Sequence, residues 1–126
     1  MSTPPKTVMI IEDEPDAAEV FDEMMQLSGY RVLKTYSSTA ALTLISQEKP
    51  SIVLLDIMMP DVSGLEVLRY VRSDPELASI PVVVVSAKAT PEDIRLGLDA
   101  GASAYLTKPV GYVDLKAAVD RLVQAQ

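Results

Sequence analysis

Four side-chain groups with chemistry in them stand where apolar runs stop. Glu12 and Asp13 follow Thr7–Ile11, Asp56 follows Ile52–Leu55, Ser86 follows Pro81–Val85, and Lys108 follows Ala104–Thr107. A strand covered on both faces releases its first charged residue at its C-terminal edge, and open α/β sheets bind ligands just beyond those edges. The chain contains no cysteine and no histidine. That excludes disulfides, thiolate nucleophiles, imidazole bases, zinc sites built on either residue and a phosphohistidine carrier. What remains is carboxylate, hydroxyl and amine chemistry, which suits a hard cation such as Mg²⁺.

The elements that must position these groups are legible in the same rows. Thr7–Ile11, Arg31–Tyr36, Ile52–Leu55, Pro81–Val85 and Ala104–Thr107 are short and rich in β-branched or aromatic residues, with stretches between them long enough for a helix. Pro15 opens the first helix and Gly29 closes it; Ser63 and Glu66 have the spacing of a capping box; Thr90-Pro91 reads as N-cap and first turn. Pro50, Pro75 and Gly101 mark the other helix ends. Ala17, Phe21, Met24 and Leu27 form one apolar stripe, and Leu115, Ala118, Val119 and Leu122 another, both predicted to face the core. The expectation is an α/β fold: a five-stranded parallel sheet, order 2-1-3-4-5, flanked by five helices and doubly wound.

Length and composition narrow the class. At 126 residues the chain suits one domain, with 1–6 as a short N-terminal extension, 7–124 as the folded unit and no output domain after it. It is 48% hydrophobic and 23% charged, and no apolar run approaches the ~20 residues of a membrane span. Met1 to Pro5 lacks the regions of a signal peptide, so a cytoplasmic location is expected. The net charge of −7 and pI near 4.4 argue against direct DNA binding, which is built on Lys and Arg displacing counterions.

In the order 2-1-3-4-5 the first and third strands are neighbours, which places Glu12, Asp13 and Asp56 in one pocket. Two unit charges ~4 Å apart repel by about 4 kcal/mol at an effective dielectric of about 20, so three acids there either raise one another's pKa or hold a cation, and a cation explains them better. Mg²⁺ needs only one or two carboxylates and a backbone carbonyl, and keeps several waters. Lys108 and the Ser86 hydroxyl then complete an anion site beside the metal. These are the parts of phosphoryl transfer, with Asp56 as nucleophile: a carboxylate of pKa about 4 is ionised at neutral pH and needs no general base.

Four segments in this order and spacing carry a specific resemblance across the whole chain: Ile10 to Pro15, Leu55 to Gly64, Val85-Ser86-Ala87 and Gly101 to Pro109. The chain resembles the receiver domain of two-component response regulators, the CheY-like group. The resemblance implies that Asp56 is the phosphoacceptor and that Asp13, Asp56 and the Met58 backbone carbonyl bind Mg²⁺ directly, with Glu12 acting through water. It implies that Lys108 pairs with the phosphoryl group, that Ser86 hydrogen-bonds it, and that Tyr105 changes rotamer in response. The Lys108-Pro109 bond is expected to be cis. The implied phosphodonor is a phosphohistidine on a sensor histidine kinase or a histidine phosphotransfer protein, or a small acyl phosphate. The implied output is to a downstream effector or a self-dimer through the fourth helix, fifth strand and fifth helix. Such a domain is not an enzyme acting on another substrate; it promotes only its own phosphorylation and dephosphorylation.

Departures from the commonest pattern are chemically mild. Glu12 stands for a frequent Asp and Ser86 for a frequent Thr, while Met58 and Lys88 offer no acid to orient a hydrolytic water, so slow self-dephosphorylation is expected. An acyl-phosphate half-life of seconds would contradict that. A haloacid-dehalogenase-type hydrolase would need an acid where Met58 stands, and a flavodoxin-like carrier would not place Glu12-Asp13-Glu14 against a flavin phosphate. The remaining alternative is an interaction-only receiver that carries no phosphate; every expected site residue is retained, and nothing in the sequence favours it.

Overall fold

The computed structural model describes residues 4–126; Met1 to Thr3 of the expected N-terminal extension lie outside the described residues. Strands and helices alternate as β1 (Thr7–Ile11), α1 (Pro15–Leu27), β2 (Arg31–Thr35), α2 (Ser38–Glu48), β3 (Ile52–Leu55), α3 (Gly64–Ser73), β4 (Val82–Ser86), α4 (Pro91–Asp99), β5 (Ala104–Thr107) and α5 (Tyr112–Gln124). All strand pairs are parallel, in the order β2-β1-β3-β4-β5. This is the expected doubly wound arrangement.

The period-2 geometry of a strand splits the core into two layers. Val8 and Ile10 of β1, Ile52 and Leu54 of β3, and Val83 and Val85 of β4 face α1 and α5, where Ala18, Phe21, Met25, Leu115, Val119 and Val123 meet them. Met9, Ile11, Val53, Leu55 and Val82 face the opposite way, onto Ala41 and Ile45 of α2 and Val67, Leu68 and Val71 of α3. The central strands β1, β3 and β4 are therefore apolar on both faces between Thr7 at the start of β1 and Ser86 at the end of β4. The outer strands β2 and β5 are only partly covered.

Several local expectations shift. β2 stops at Thr35 and leaves Tyr36 half-exposed, and β4 runs one residue later than its apolar run, from Val82 to Ser86. In α1 the buried positions are Ala18, Phe21, Asp22 and Met25, whereas Leu27 is 78% exposed. The buried face runs through Ala18, Phe21, Asp22 and Met25, and Leu27, two residues past Met25, falls on the opposite side of the helix; left-handed Gly29 then turns the chain into β2. Ser63 and Glu66 form no reciprocal box: the Ser63 hydroxyl accepts from the Leu65 N–H, and Glu66 turns to Arg69. The capping box forms instead at Thr90 and Asp93.

Lys49, the C-cap of α2, has φ 44° and ψ 64°, a left-handed conformation that crowds any Cβ. Among the described residues its ammonium reaches only exposed Glu76, at 3.6 Å. Lys49→Gly is expected to stabilise the domain by about 0.5–1 kcal/mol, read as a higher thermal midpoint. A lower midpoint would show that the Lys side chain matters more than its backbone.

Candidate functional site

The parallel register brings three strand ends together. The Asp56 N–H donates to the Ile11 carbonyl at 3.0 Å, extending the β1–β3 ladder by one residue, and the Glu12 N–H donates to the Thr35 carbonyl at 3.1 Å. The Lys108 N–H donates to the Ser86 carbonyl at 2.9 Å. Backbone pairing, rather than the side chains themselves, thus delivers the polar groups to one edge.

There, carboxylate oxygens of Glu12, Asp13 and Asp56 lie within 4.8 Å of one another. Glu12 and Asp56 are almost fully buried, at 2% and 7% exposure, and Asp13 is half-open to solvent. The Lys108 Nζ donates to Glu12 Oε1 and, at 3.1 Å, to Asp56 Oδ2. The same ammonium lies 5.9 Å from the centroid of the Phe21 ring. Asp56 Oδ1 accepts the Met58 N–H at 2.9 Å, and Glu12 Oε2 accepts the Glu14 N–H at 3.4 Å. One ammonium and two backbone amides hold Glu12 and Asp56 in place.

Burial and the neighbouring Asp56 charge push the Glu12 carboxyl up to about 7, against the pull of Lys108. Burial works to lower the Lys108 ammonium, but its hydrogen bonds to Glu12 and Asp56 prevail and raise it. Because Glu12 binds its proton more tightly when folded, its contribution to stability is complete below about 4.5 and lost as pH rises through about 7. Without divalent cation, stability is therefore expected to fall across that window. Mg²⁺ affinity is expected to rise across it, because the ion needs the ionised carboxylate. Calorimetric titrations at the two ends of the range that give equal Mg²⁺ affinity would refute this.

Ser86 is fully buried, and its Oγ accepts the Lys88 N–H at 3.2 Å. Tyr105 is half-buried, and its hydroxyl donates to the Lys88 carbonyl at 2.7 Å. Burial raises the Tyr105 phenol above its ordinary value. The two residues are therefore tied to the Lys88 backbone on either side of its Cα, a junction that sequence reading missed because backbone groups carry no residue-type signal. The Tyr105 ring rests on Gly97 of α4, where an added Cβ would come within 2.7 Å of it. The Met58 side chain is 48% exposed at the mouth of the site, and the Lys108-Pro109 bond is cis.

Gly64 was part of a recognisable segment, but its role becomes visible only in three dimensions. A Cβ there would lie 2.6 Å from the Asp56 carbonyl oxygen and 2.5 Å from Ile57 Cα. The first turn of α3 thus packs directly beneath the backbone that carries Asp56.

A carboxylate at the end of the central strand, with two further acids and a lysine around it, defines a signalling domain of the two-component kind. The chain belongs to the response regulator receiver domain family, whose profile matches residues 8–120. The polar-differentiation response regulator DivK of Brucella anthropi is 40% identical over 109 residues, covering 84% of this chain and 86% of its own. A response-regulator crystal structure from Chloroflexus aurantiacus superposes with a TM-score of 0.92 at 26% identity, over 96% of this chain and 99% of that one. The receiver domain of a sensor histidine kinase from Pseudomonas aeruginosa has a TM-score of 0.89 at 24% identity, over 96% and 99% of the two chains. That protein was solved with a magnesium ion coordinated in its active-site cleft. Receiver domains as a family carry a phosphoacceptor and bind Mg²⁺ at an acidic pocket, and they work with histidine kinases and downstream effectors. The donor set here fits that ion: all three side chains offer hard oxygen, gathered within 4.8 Å, and the chain contains neither histidine nor cysteine.

Proposed function

We propose that the unit spanning residues 7–124 is a response regulator that accepts a phosphoryl group on Asp56 from a phosphohistidine of a sensor histidine kinase or a histidine phosphotransfer protein. The observation that carries this is the convergence of Asp56 with Glu12, Asp13 and Lys108 at one sheet edge. An Asp56 oxygen attacks phosphorus, the bond from phosphorus to the donor's imidazole nitrogen breaks, and the imidazole leaves with that electron pair. Asp13, Asp56 and the Met58 carbonyl would hold Mg²⁺ directly, and Glu12 through water. When bound, the ion neutralises charge on the transferring oxygens. Lys108, already in contact with Asp56, gives up that pairing for the incoming phosphoryl oxygens.

The domain catalyses nothing beyond gaining and losing this group. The β4–α4 segment would respond: Ser86 Oγ accepts the Lys88 N–H and Tyr105 donates to the Lys88 carbonyl, so a Ser86 side chain drawn to the phosphoryl group pulls the Lys88 backbone with it. Tyr105 then loses its anchor and turns inward. This alters the surface of α4, β5 and α5, through which an effector or a second copy reads the state. Among the described residues no helix is long and apolar enough to cross a membrane. The acidic charge speaks against direct DNA contact, and the cytoplasm is where such a kinase would present its phosphohistidine.

The test is incubation of the wild-type chain with acetyl phosphate, with and without Mg²⁺, followed by intact mass measurement. One hydroxylamine-labile phosphate per chain is expected, dependent on Mg²⁺. No uptake from either acetyl phosphate or phosphohistidine donors would favour an interaction-only receiver.

A further inference from the structure

Asp61 lies on the loop between Asp56 and α3, and its carboxylate is spent entirely on another element. Asp61 Oδ2 accepts from the Ser37 hydroxyl at 3.0 Å, the Thr39 N–H at 3.0 Å and the Thr39 hydroxyl at 2.9 Å. Its Oδ1 accepts from the Ser38 N–H at 3.3 Å. One residue on, the Val62 carbonyl accepts from the buried Ser38 hydroxyl at 2.6 Å. The β3–α3 loop is thereby bolted to the amino end of α2, whose free N–H groups and dipole favour an anion.

This connection continues to the other side of the site. The Ser37 carbonyl accepts from the Thr35 hydroxyl at 3.3 Å, and the Thr35 carbonyl accepts the Glu12 N–H at 3.1 Å. The loop bearing the Met58 carbonyl and the loop bearing Glu12 and Asp13 are thus joined through the β2–α2 corner. Without Asp61, the Met58 carbonyl would depend for its position on the Asp56–Met58 turn, on the Gly64 N–H donating to the Ile57 carbonyl at 3.1 Å, and on the Val62 bond.

Building on the reading of the acidic pocket as a Mg²⁺ site, we propose that Asp61 is a positioning residue: it holds the β3–α3 loop so that the Met58 carbonyl and the carboxylates are spaced for the ion before it arrives. Mg²⁺ tolerates little departure from octahedral geometry, so a loosened oxygen ligand weakens binding even when every ligand remains.

The experiment measures the Mg²⁺ dissociation constant by calorimetry, and amide exchange at Met58 and Met59, in wild type, Asp61→Ala, Asp61→Asn and Tyr70→Phe. Asp61→Ala is expected to weaken Mg²⁺ about tenfold with faster exchange at Met58 and Met59, and Asp61→Asn, which keeps one acceptor oxygen, about threefold. Tyr70→Phe removes the 2.8 Å contact with Ser46 between α2 and α3, away from the loop, and is expected to leave Mg²⁺ binding unchanged. Equal losses in the Ala and Asn variants would overturn the inference in favour of a simple charge effect. An equal loss in Tyr70→Phe would overturn it in favour of general loosening. Wild-type affinity in Asp61→Ala would overturn it alone, whereas no Mg²⁺ binding by the wild type would overturn the reading of the pocket as well. Should Asp61→Ala fail to fold, the comparison of Asp61→Asn with Tyr70→Phe decides, and unchanged affinity and exchange in Asp61→Asn overturn the inference.

Discussion

Asp56→Asn is expected to reduce phosphate uptake from one group per chain to background while leaving the domain folded. The amide is nearly isosteric with the carboxylate, and its oxygen can still accept the Met58 N–H that Asp56 Oδ1 accepts at 2.9 Å. Lys108 keeps Glu12 as its partner. Stability should therefore change by no more than about 1 kcal/mol, so that lost labelling cannot be ascribed to unfolding. The chemistry is lost because a neutral amide is a poor nucleophile toward phosphorus and a poor Mg²⁺ ligand. The removal has a second signature: Glu12, held up first by burial and then by the Asp56 charge, should titrate at lower pH in the variant. Wild-type labelling of Asp56→Asn would remove Asp56 from the mechanism, and an unmoved Glu12 titration would contradict the coupling of the two acids.

Gly64→Ala is expected to cost about 1–3 kcal/mol and to weaken Mg²⁺ binding and phosphate uptake together. The distances decide this, since the new methyl would stand 2.5 Å from Ile57 Cα, 2.6 Å from the Asp56 carbonyl and 3.1 Å from the Ile57 nitrogen. All three are backbone atoms, so no side-chain rotation relieves the clash. Either α3 backs away from the sheet, giving up packing by Val67, Leu68 and Val71, or the Asp56–Ile57 backbone moves and takes the carboxylate with it. At roughly 4 °C per kcal/mol for a domain of this size, a fall in thermal midpoint of about 4–12 °C should be seen. Ala at Gly111, where an added Cβ meets nothing within 4 Å, is the matched control and should have little effect. An unchanged midpoint with full labelling in Gly64→Ala would mean that the close approach is not tight in solution.

How much of this was legible beforehand depends on what kind of information each feature uses. The apolar runs of β1 and β3, their charged successors, and the proline and glycine punctuation of the helices are local, and they led directly to the sheet order and to the group Glu12, Asp13, Asp56, Ser86 and Lys108. Leu27 misled because the face that meets the sheet is centred on Ala18, Phe21 and Met25, which leaves Leu27 on the far side of the helix. The Ser63–Glu66 spacing misled because a capping box competes with an ion pair on the same turn, and Glu66 is closer to Arg69.

Residue type and spacing were thus sufficient for the fold and for the acidic pocket of Glu12, Asp13 and Asp56, because both rest on period and strand-end chemistry. Tertiary structure alone decided how those groups are held: Lys108 shared between Glu12 and Asp56, Ser86 and Tyr105 both bonded to the Lys88 backbone, Gly64 against the Asp56 backbone, and Asp61 fastened to α2. These contacts pair backbone atoms or residues far apart in the chain. No local pattern encodes such a distance, and it exists only once the sheet has brought the strand ends together.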